Sequence, residues 1–309
     1  MAEYRALREK YSLLTLCKTP ELAAQVTLQP LQRFRFDAAI IFADILLPLE
    51  PMGLQFEFAK GEGPVIHNPI SSDADVEAIR VFSAAEELSF VSKAIELVIK
   101  ELNGETPLIG FAGAPFTLAS YIIEGGYSRH FLKTRKFMVS NTNAWHALMK
   151  KITQITAGYL QMQIQAGASA IQLFDSWVGV LSPDDYRKFV LPYSREILQN
   201  ISVPTIHFST GTVGSLDLIA QAGGDVISVD WRIPLDRAWS YFPERAIQGN
   251  LDPASLLSPW PTVRNDIRNI LQLAGGKPGH IFNLGHGVFP ETPVENVEKL
   301  VEEVHSFKL

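Results

Sequence analysis

The 309-residue sequence contains one cysteine, Cys17, which excludes an internal disulfide and any zinc site built from several thiolates. Beside Leu16 it reads as a small apolar filler. No window approaches the roughly 18 to 20 uninterrupted apolar residues of a membrane span. The first twenty residues lack a signal-peptide core, because Glu3, Arg5, Arg8, Glu9 and Lys10 interrupt them. A cytoplasmic protein with no membrane partner is the expectation. Cations are also in short supply: 27 Lys and Arg face 33 Asp and Glu, for a net charge of -6. That balance argues against nucleic acid as a partner, since phosphate binding relies on clustered Lys and Arg. An anionic small substrate would need a local cationic pocket against the overall field. Finally, no Gly-x-Gly-x-x-Gly turn follows the first apolar run, so a dinucleotide-binding doubly wound sheet loses its best support.

What is present is a repeated design. Asp37-Ala-Ala-Ile-Ile-Phe-Ala-Asp-Ile45 is an apolar run ending in a carboxylate, Asp44, and it reads as a fully buried parallel strand. Six later segments resemble it: Pro107–Gly113, Ala168–Ser176, Val203–Thr210, Asp225–Trp231, Arg245–Asp252 and His280–His286. Each delivers polar residues at its C-terminal tip. Helical patterns lie between them. Residues 3 to 14 have helical spacing, and Thr19-Pro20-Glu21 supplies an N-cap, a first-turn proline and an acidic first turn for a helix to about Arg33. Residues 46 to 82 read as a long loop holding a small hairpin, and Ser83 to about Leu102 as a helix. A segment carrying Tyr121 ends at Glu124-Gly125-Gly126, one long helix spans about Thr134 to Gln165, and a last one runs from about Pro293 to Phe307. Strand and helix alternating over the whole chain mean a parallel sheet with helical cover, and polar residues at many strand tips favour a (β/α)8 barrel with its site at the C-terminal mouth. Only seven strands are counted, so either the 46–82 excursion supplies one or a strand precedes Met1.

The motifs then become specific. Glu3-Tyr-Arg-Ala-Leu-Arg-Glu-Lys-Tyr11, Phe42-Ala-Asp-Ile-Leu46, Gly113-Ala-Pro-Phe-Thr117, Tyr121, Phe174-Asp-Ser176, Val229-Asp-Trp231, Gln248-Gly-Asn-Leu-Asp-Pro253 and Asn283-Leu-Gly-His-Gly287 resemble the uroporphyrinogen decarboxylase family, in order, over essentially the whole chain. The resemblance implies a cytoplasmic homodimeric enzyme with a single (β/α)8 domain over residues 1–309, a carboxy-lyase with no cofactor and no metal. Its substrate would be uroporphyrinogen, whose four acetate side chains become methyls in haem and chlorophyll biosynthesis. It also implies roles. Asp44 matches the family's central aspartate, which accepts hydrogen bonds from the pyrrole N–H groups and stabilises the cation that forms. Tyr121, Ser176 and His286 match residues that contact substrate. One departure stands out: the family's Arg-Gln-Ala-Gly-Arg stretch, on the first barrel strand, is absent ahead of Ala2-Glu3-Tyr4-Arg5. Family and strand count thus agree in placing the eighth strand before Met1. Without it the barrel would expose two edge strands and lack arginines that hold substrate carboxylates.

Other polar residues have plainer readings. His207 is followed by Phe208-Ser209-Thr210 and no cysteine, so it reads as a core or mouth residue and not a zinc ligand, and the absent cysteines count against the alternative of a corrinoid- or thiol-dependent methyltransferase on the same barrel. His280 and His305 read as strand-start or surface residues. Asp175, Asp230 and Asp252 read as structural acceptors, for Arg232 or for loop N–H groups. Arg129, His130, Lys133, Arg135 and Lys136 read as a solvated face, with a rim attracting a polyanion as the alternative. A non-catalytic tetrapyrrole-binding paralogue is the remaining alternative.

Overall fold

The computed structural model describes residues 1–59 and 63–308. Its centre is a seven-stranded sheet in which every neighbouring pair is parallel. In chain order the strands are β1 (Ala39–Ile40), then a separate hairpin β2 (Phe56–Ala59) and β3 (Gly63–Ile66), then β4 (Leu108–Gly113), β5 (Ala170–Asp175), β6 (Thr205–Ser209), β7 (Val226–Ser228), β8 (Ala246–Leu251) and β9 (His280–Leu284). The sheet order is β1-β4-β5-β6-β7-β8-β9. Each crossover between neighbours carries at least one helix, as parallel pairing demands.

The sheet is curled. Gln172 on β5 and Gln248 on β8 point to the same interior and meet at 3.2 Å, and Gln248 also reaches Ser228 Oγ on β7 at 3.1 Å. Strands three places apart in the order could not exchange such a bond across a flat sheet, where neighbours lie about 4.8 Å apart. The fold is therefore TIM-barrel-like, with a gap in the wall between β1 and β9 among the described residues.

This gap corrects the reading of the first strand. The Asp37–Ile45 run is an edge, not a fully buried strand: only Ala39 and Ile40 sit in the ladder, and Ile40 is 45% exposed. Ile281 on β9, the opposite edge, is 42% exposed. The helical layer does close there. The last helix, Val294–Ser306, packs beside Pro20–Phe34, where Arg33 Nε donates to Glu298 at 2.8 Å and His305 Nε2 lies 3.0 Å from Asp37.

Several helices are more broken than their patterns predict. The N-terminal pattern splits into Ala2–Lys10 and Leu13–Lys18, because Ser12 caps the second by accepting from the Thr15 amide. Thr19 occupies the N-cap of Pro20–Phe34, but its side chain makes no capping bond. The long helix predicted from Thr134 divides at Asn141 into Leu132–Ser140 and Thr142–Gln165. The 83–102 helix divides at Leu88 into Ala84–Glu87 and Ser89–Leu102. The 46–82 excursion holds the expected hairpin, whose residues 60–62 lie outside the described residues, and also an unexpected helix, Asp73–Ala78, started by a Ser72–Asp75 capping box. Cys17 is buried, as a filler should be, and burial pushes its thiol up to about 12.

Candidate active site

Asp44 lies past the end of β1. The chain is held into the ladder by the Ile41 amide on the Ile109 carbonyl at 3.0 Å. Next, the Phe42 amide leaves the sheet to donate to Thr27 Oγ1, on the helix before the strand, at 2.9 Å. That turn directs Asp44 to the barrel mouth, where its Oδ1 accepts the Leu46 amide at 2.8 Å. The carboxyl is partly open to solvent but densely surrounded. Burial pushes it up to about 6, against the opposing pull of the Leu46 bond.

Asp44 and Ser176 line one cleft of about 540 Å³, with Ile41, Phe111 and Phe174 among its apolar walls. Ser176 follows the last residue of β5. Its carbonyl accepts from Thr210 Oγ1 at 2.7 Å, which ties the tip of β5 to the tip of β6. Tyr121 comes from the helix Pro115–Glu124, packed over β4 and β5, and is 9% exposed. Burial pushes its hydroxyl up to about 12, with the Asp44 charge adding to the shift. The Trp177 indole pulls the other way. Its ring stands edge-on to Tyr121 at 6.0 Å, although its buried Nε1 reaches no partner at hydrogen-bonding geometry.

His286 lies on the far side of the mouth, outside the cleft shared by Asp44 and Ser176. A run of aromatic rings bridges the distance: Phe111 to Phe174 at 5.5 Å, Phe174 to Phe208 at 5.1 Å, and Phe208 to His286 at 6.1 Å. His286 Nδ1 accepts the Gly287 amide at 2.8 Å, so in the neutral ring the proton sits on Nε2. Its pKa is lowered, first by burial and then by Arg232, with Asp230 opposing. Of its flanking glycines only Gly285 is required by space. A Cβ there would lie 2.8 Å from Trp231 Cε3 and 2.9 Å from Asp230 Cα, whereas one on Gly287 would meet nothing.

The remaining strand-tip aspartates are acceptors, as their sequence context suggests. Asp230, 4% exposed, takes the Gly211 amide at 2.6 Å, the Arg232 amide at 2.9 Å and the Arg232 guanidinium. Asp252 accepts from the Ala254 amide at 2.9 Å. Asp175 is fully buried and accepts from Thr117 Oγ1 at 3.1 Å, while its Oδ2 has no partner. His207 is a core residue: both ring nitrogens lack a partner at hydrogen-bonding geometry, although the backbone of Ile219 and Gly223 lies nearest, and burial pulls it down to about 4. His280 is half-buried, with Nε2 2.9 Å from the Gly249 carbonyl. Among the described residues no group of three or more His, Cys, Asp or Glu could hold a metal ion, and no helix is long and apolar enough to cross a membrane.

Reading residues singly missed the aromatic surroundings. Trp177 gathers Tyr127 at 5.5 Å and Phe131 at 5.4 Å as well as Tyr121. Arg129 and His130, exposed, lie between Tyr127 and Phe131 in the chain and so sit at this rim. A usable signal existed in Phe174 and Phe208, one or two residues before polar tips on successive strands and paired in register.

Comparison with known proteins separates fold from family. The family model described as uroporphyrinogen decarboxylase matches residues 1–307. The uroporphyrinogen decarboxylase of Sorangium cellulosum is 57% identical over 310 residues, covering 99% of this chain and 88% of that protein. That of Carboxydothermus hydrogenoformans is 54% identical over 309 residues, with the same two coverages of 99% and 88%. Among solved structures, a methyltransferase from Methanosarcina mazei has TM-score 0.80 at 21% identity, over 93% of this chain and 85% of that one. At that identity the likeness concerns the fold alone.

Proposed function

The chain belongs to the uroporphyrinogen decarboxylase family, and we propose that it removes carbon dioxide from the four acetate side chains of uroporphyrinogen III, giving coproporphyrinogen III in porphyrin biosynthesis. The observation that carries the reading is the cleft in which Asp44 lies among apolar walls with Ser176.

The chemistry follows from what such a site can do. A pyrrole acetate has no electron sink of its own. Adding a proton to the ring carbon beside the nitrogen turns the ring into an iminium-like cation. The C–C bond to the carboxylate can then break, its electrons flowing into the ring as carbon dioxide leaves. Protonation of the exocyclic carbon and loss of the ring proton restore the pyrrole. For each acetate, one proton is consumed and one carbon dioxide is released. Positive charge develops on the ring, so a fixed carboxylate beside the pyrrole N–H groups stabilises the intermediate, and more strongly in an apolar cleft than in water. Asp44 takes that role. Tyr121, already within the field of Asp44, Ser176 and His286 take the roles of substrate contacts around it.

In this reading residues 1–309 form one domain, a (β/α)8 barrel in which the eighth strand position falls between β1 and β9. The closed helical layer over that gap supports it. The working protein is a cytoplasmic homodimer. The deciding experiment supplies anaerobically prepared uroporphyrinogen to the wild-type chain and to Asp44→Asn. Carbon dioxide release and a tetracarboxylic product from the wild type, with turnover sharply lowered in a folded Asp44→Asn, are expected. A folded wild type without turnover would overturn the activity, and near-normal turnover in Asp44→Asn would overturn the assignment of Asp44.

A further inference from the structure

The substrate proposed above carries eight carboxylates, while the chain carries a net charge of -6, so somewhere at the mouth a cation has to meet them. We propose that Arg232 is a specificity-determining residue that grips a carboxylate of the tetrapyrrole on the His286 side of the mouth. The inference rests on the decarboxylase reading.

The case is one of placement. Arg232 follows the tip of β7, and two independent constraints hold it. Its backbone amide and its Nη1 both donate to the buried Asp230, one to each oxygen. Its guanidinium carbon also lies 4.5 Å over the Trp231 ring. Asp230 is anchored in turn by the Gly211 amide. A guanidinium fixed by a buried carboxylate and an aromatic face is pre-organised, so little side-chain freedom is left to lose on binding. Yet the side chain is 49% exposed, and no hydrogen bond to its Nε or Nη2 occurs among the described residues. The free edge of the fork is the part that suits a second carboxylate, in the two-point geometry that arginine offers and lysine does not.

The neighbour defines the ligand. Gly285 leaves its Cα bare against Asp230 and Trp231, which draws β9's tip onto β7's tip and brings His286 within reach of the Arg232 charge. Arg232 in turn disfavours protonation of His286. The pair therefore presents a fixed cation next to a neutral imidazole N–H. That combination suits an anionic group on the rim of a large ring whose centre lies over Asp44, with the apolar run Phe111, Phe174 and Phe208 between them. The charge of Asp230 does not cancel this, because Asp230 is buried behind Arg232 and already satisfied by three N–H donors.

The test uses uroporphyrin, the oxidised and unreactive octacarboxylic ring, titrated by fluorescence into the full chain, alongside turnover of uroporphyrinogen. Arg232→Gln is expected to weaken uroporphyrin binding about ten- to a hundredfold and to raise KM by a similar factor, with kcat changed far less and the melting temperature nearly kept. Arg232→Lys, which keeps the charge but not the fork, should recover only part of the affinity. Binding in wild type should weaken with salt more steeply than in Arg232→Gln. Wild-type affinity and KM in Arg232→Gln would overturn the proposal, as would a loss confined to kcat and stability. If Arg232→Gln does not fold, Arg232→Lys decides: wild-type affinity there overturns the two-point grip. A folded wild type that neither binds uroporphyrin nor decarboxylates uroporphyrinogen is a different result, the failure of the decarboxylase reading itself.

Discussion

Gln248 Nε2 donates to Gln172 Oε1 across the barrel interior at 3.2 Å, with two strands between theirs in the sheet order. Both are almost wholly buried, at 5% and 2% exposure. A buried amide left without its partner costs about 1 to 3 kcal/mol. Gln248→Ala strands the Gln172 carbonyl and leaves a void, and is expected to lower unfolding free energy by at least that much in a denaturant titration. A loss under 0.5 kcal/mol would mean that the interior is open enough for water to substitute.

If Asp44 has the role proposed above, it should govern the acid limb of the pH profile. Its carboxyl is pushed up to about 6 by burial, so below that pH the group is neutral and cannot stabilise a ring cation. The logarithm of kcat/KM should climb with unit slope as pH rises toward 6 and level off above it. Asp44→Asn should lack this limb and run about a hundredfold or more below wild type at pH 7. A pH profile settles it, and an identical limb in the variant would assign the titration elsewhere.

Asp175 bears on stability, not turnover. Burial pushes its carboxyl up to about 7, with the Thr117 hydrogen bond opposing. The folded pKa lies above the ordinary carboxylate value of about 3.9, so the stability associated with the protonated form is complete below pH 4 and is lost as pH rises through 7. Asn is neutral throughout and can still accept from Thr117. Asp175→Asn should therefore match wild type near pH 4 and exceed it by about 2 to 4 kcal/mol at pH 8. Equal stability at both ends would refute the burial argument.

Gly285 has no room to grow. A Cβ under 3 Å from both a tryptophan ring carbon and a backbone Cα forces the β9 tip away from β7. Overpacking of this kind costs about 1 to 3 kcal/mol. Gly285→Ala should melt earlier than wild type and bind uroporphyrin more weakly, since His286 and Arg232 separate. Gly287→Ala, which meets open space, is the comparison expected to stay near wild-type stability.

Much of this was legible in the chain before folding. Buried parallel strands announce themselves as short Ile- and Leu-rich runs, and six of the seven were located with ends within three residues of those in the structure. The exception was β1, whose run is apolar but pairs over only two residues. An apolar strand looks the same in sequence whether one neighbour or two stand beside it. Helix breaks were lost for a related reason. Asn141 interrupts the chain between Ser140 and Thr142, yet the apolar stripe resumes in phase, and a period of 3.6 cannot report a kink that keeps the phase. The Ser72–Asp75 capping box did carry a local signal for the helix it starts.

The site divides along the same line. The sequence alone determined the alternation of strand and helix, the family, and the polar identity of each strand tip, because these are read from short windows of periodicity and from motifs contiguous in the chain. Tertiary structure alone decided how those tips act on one another. The shift of Asp44 toward 6, the orphaned oxygen of Asp175 and the close approach of Gly285 to Asp230 and Trp231 all depend on burial and on contacts between residues distant in sequence. A carboxylate's energy is set by what surrounds it in space, and no stretch of chain carries that information until the sheet has curled.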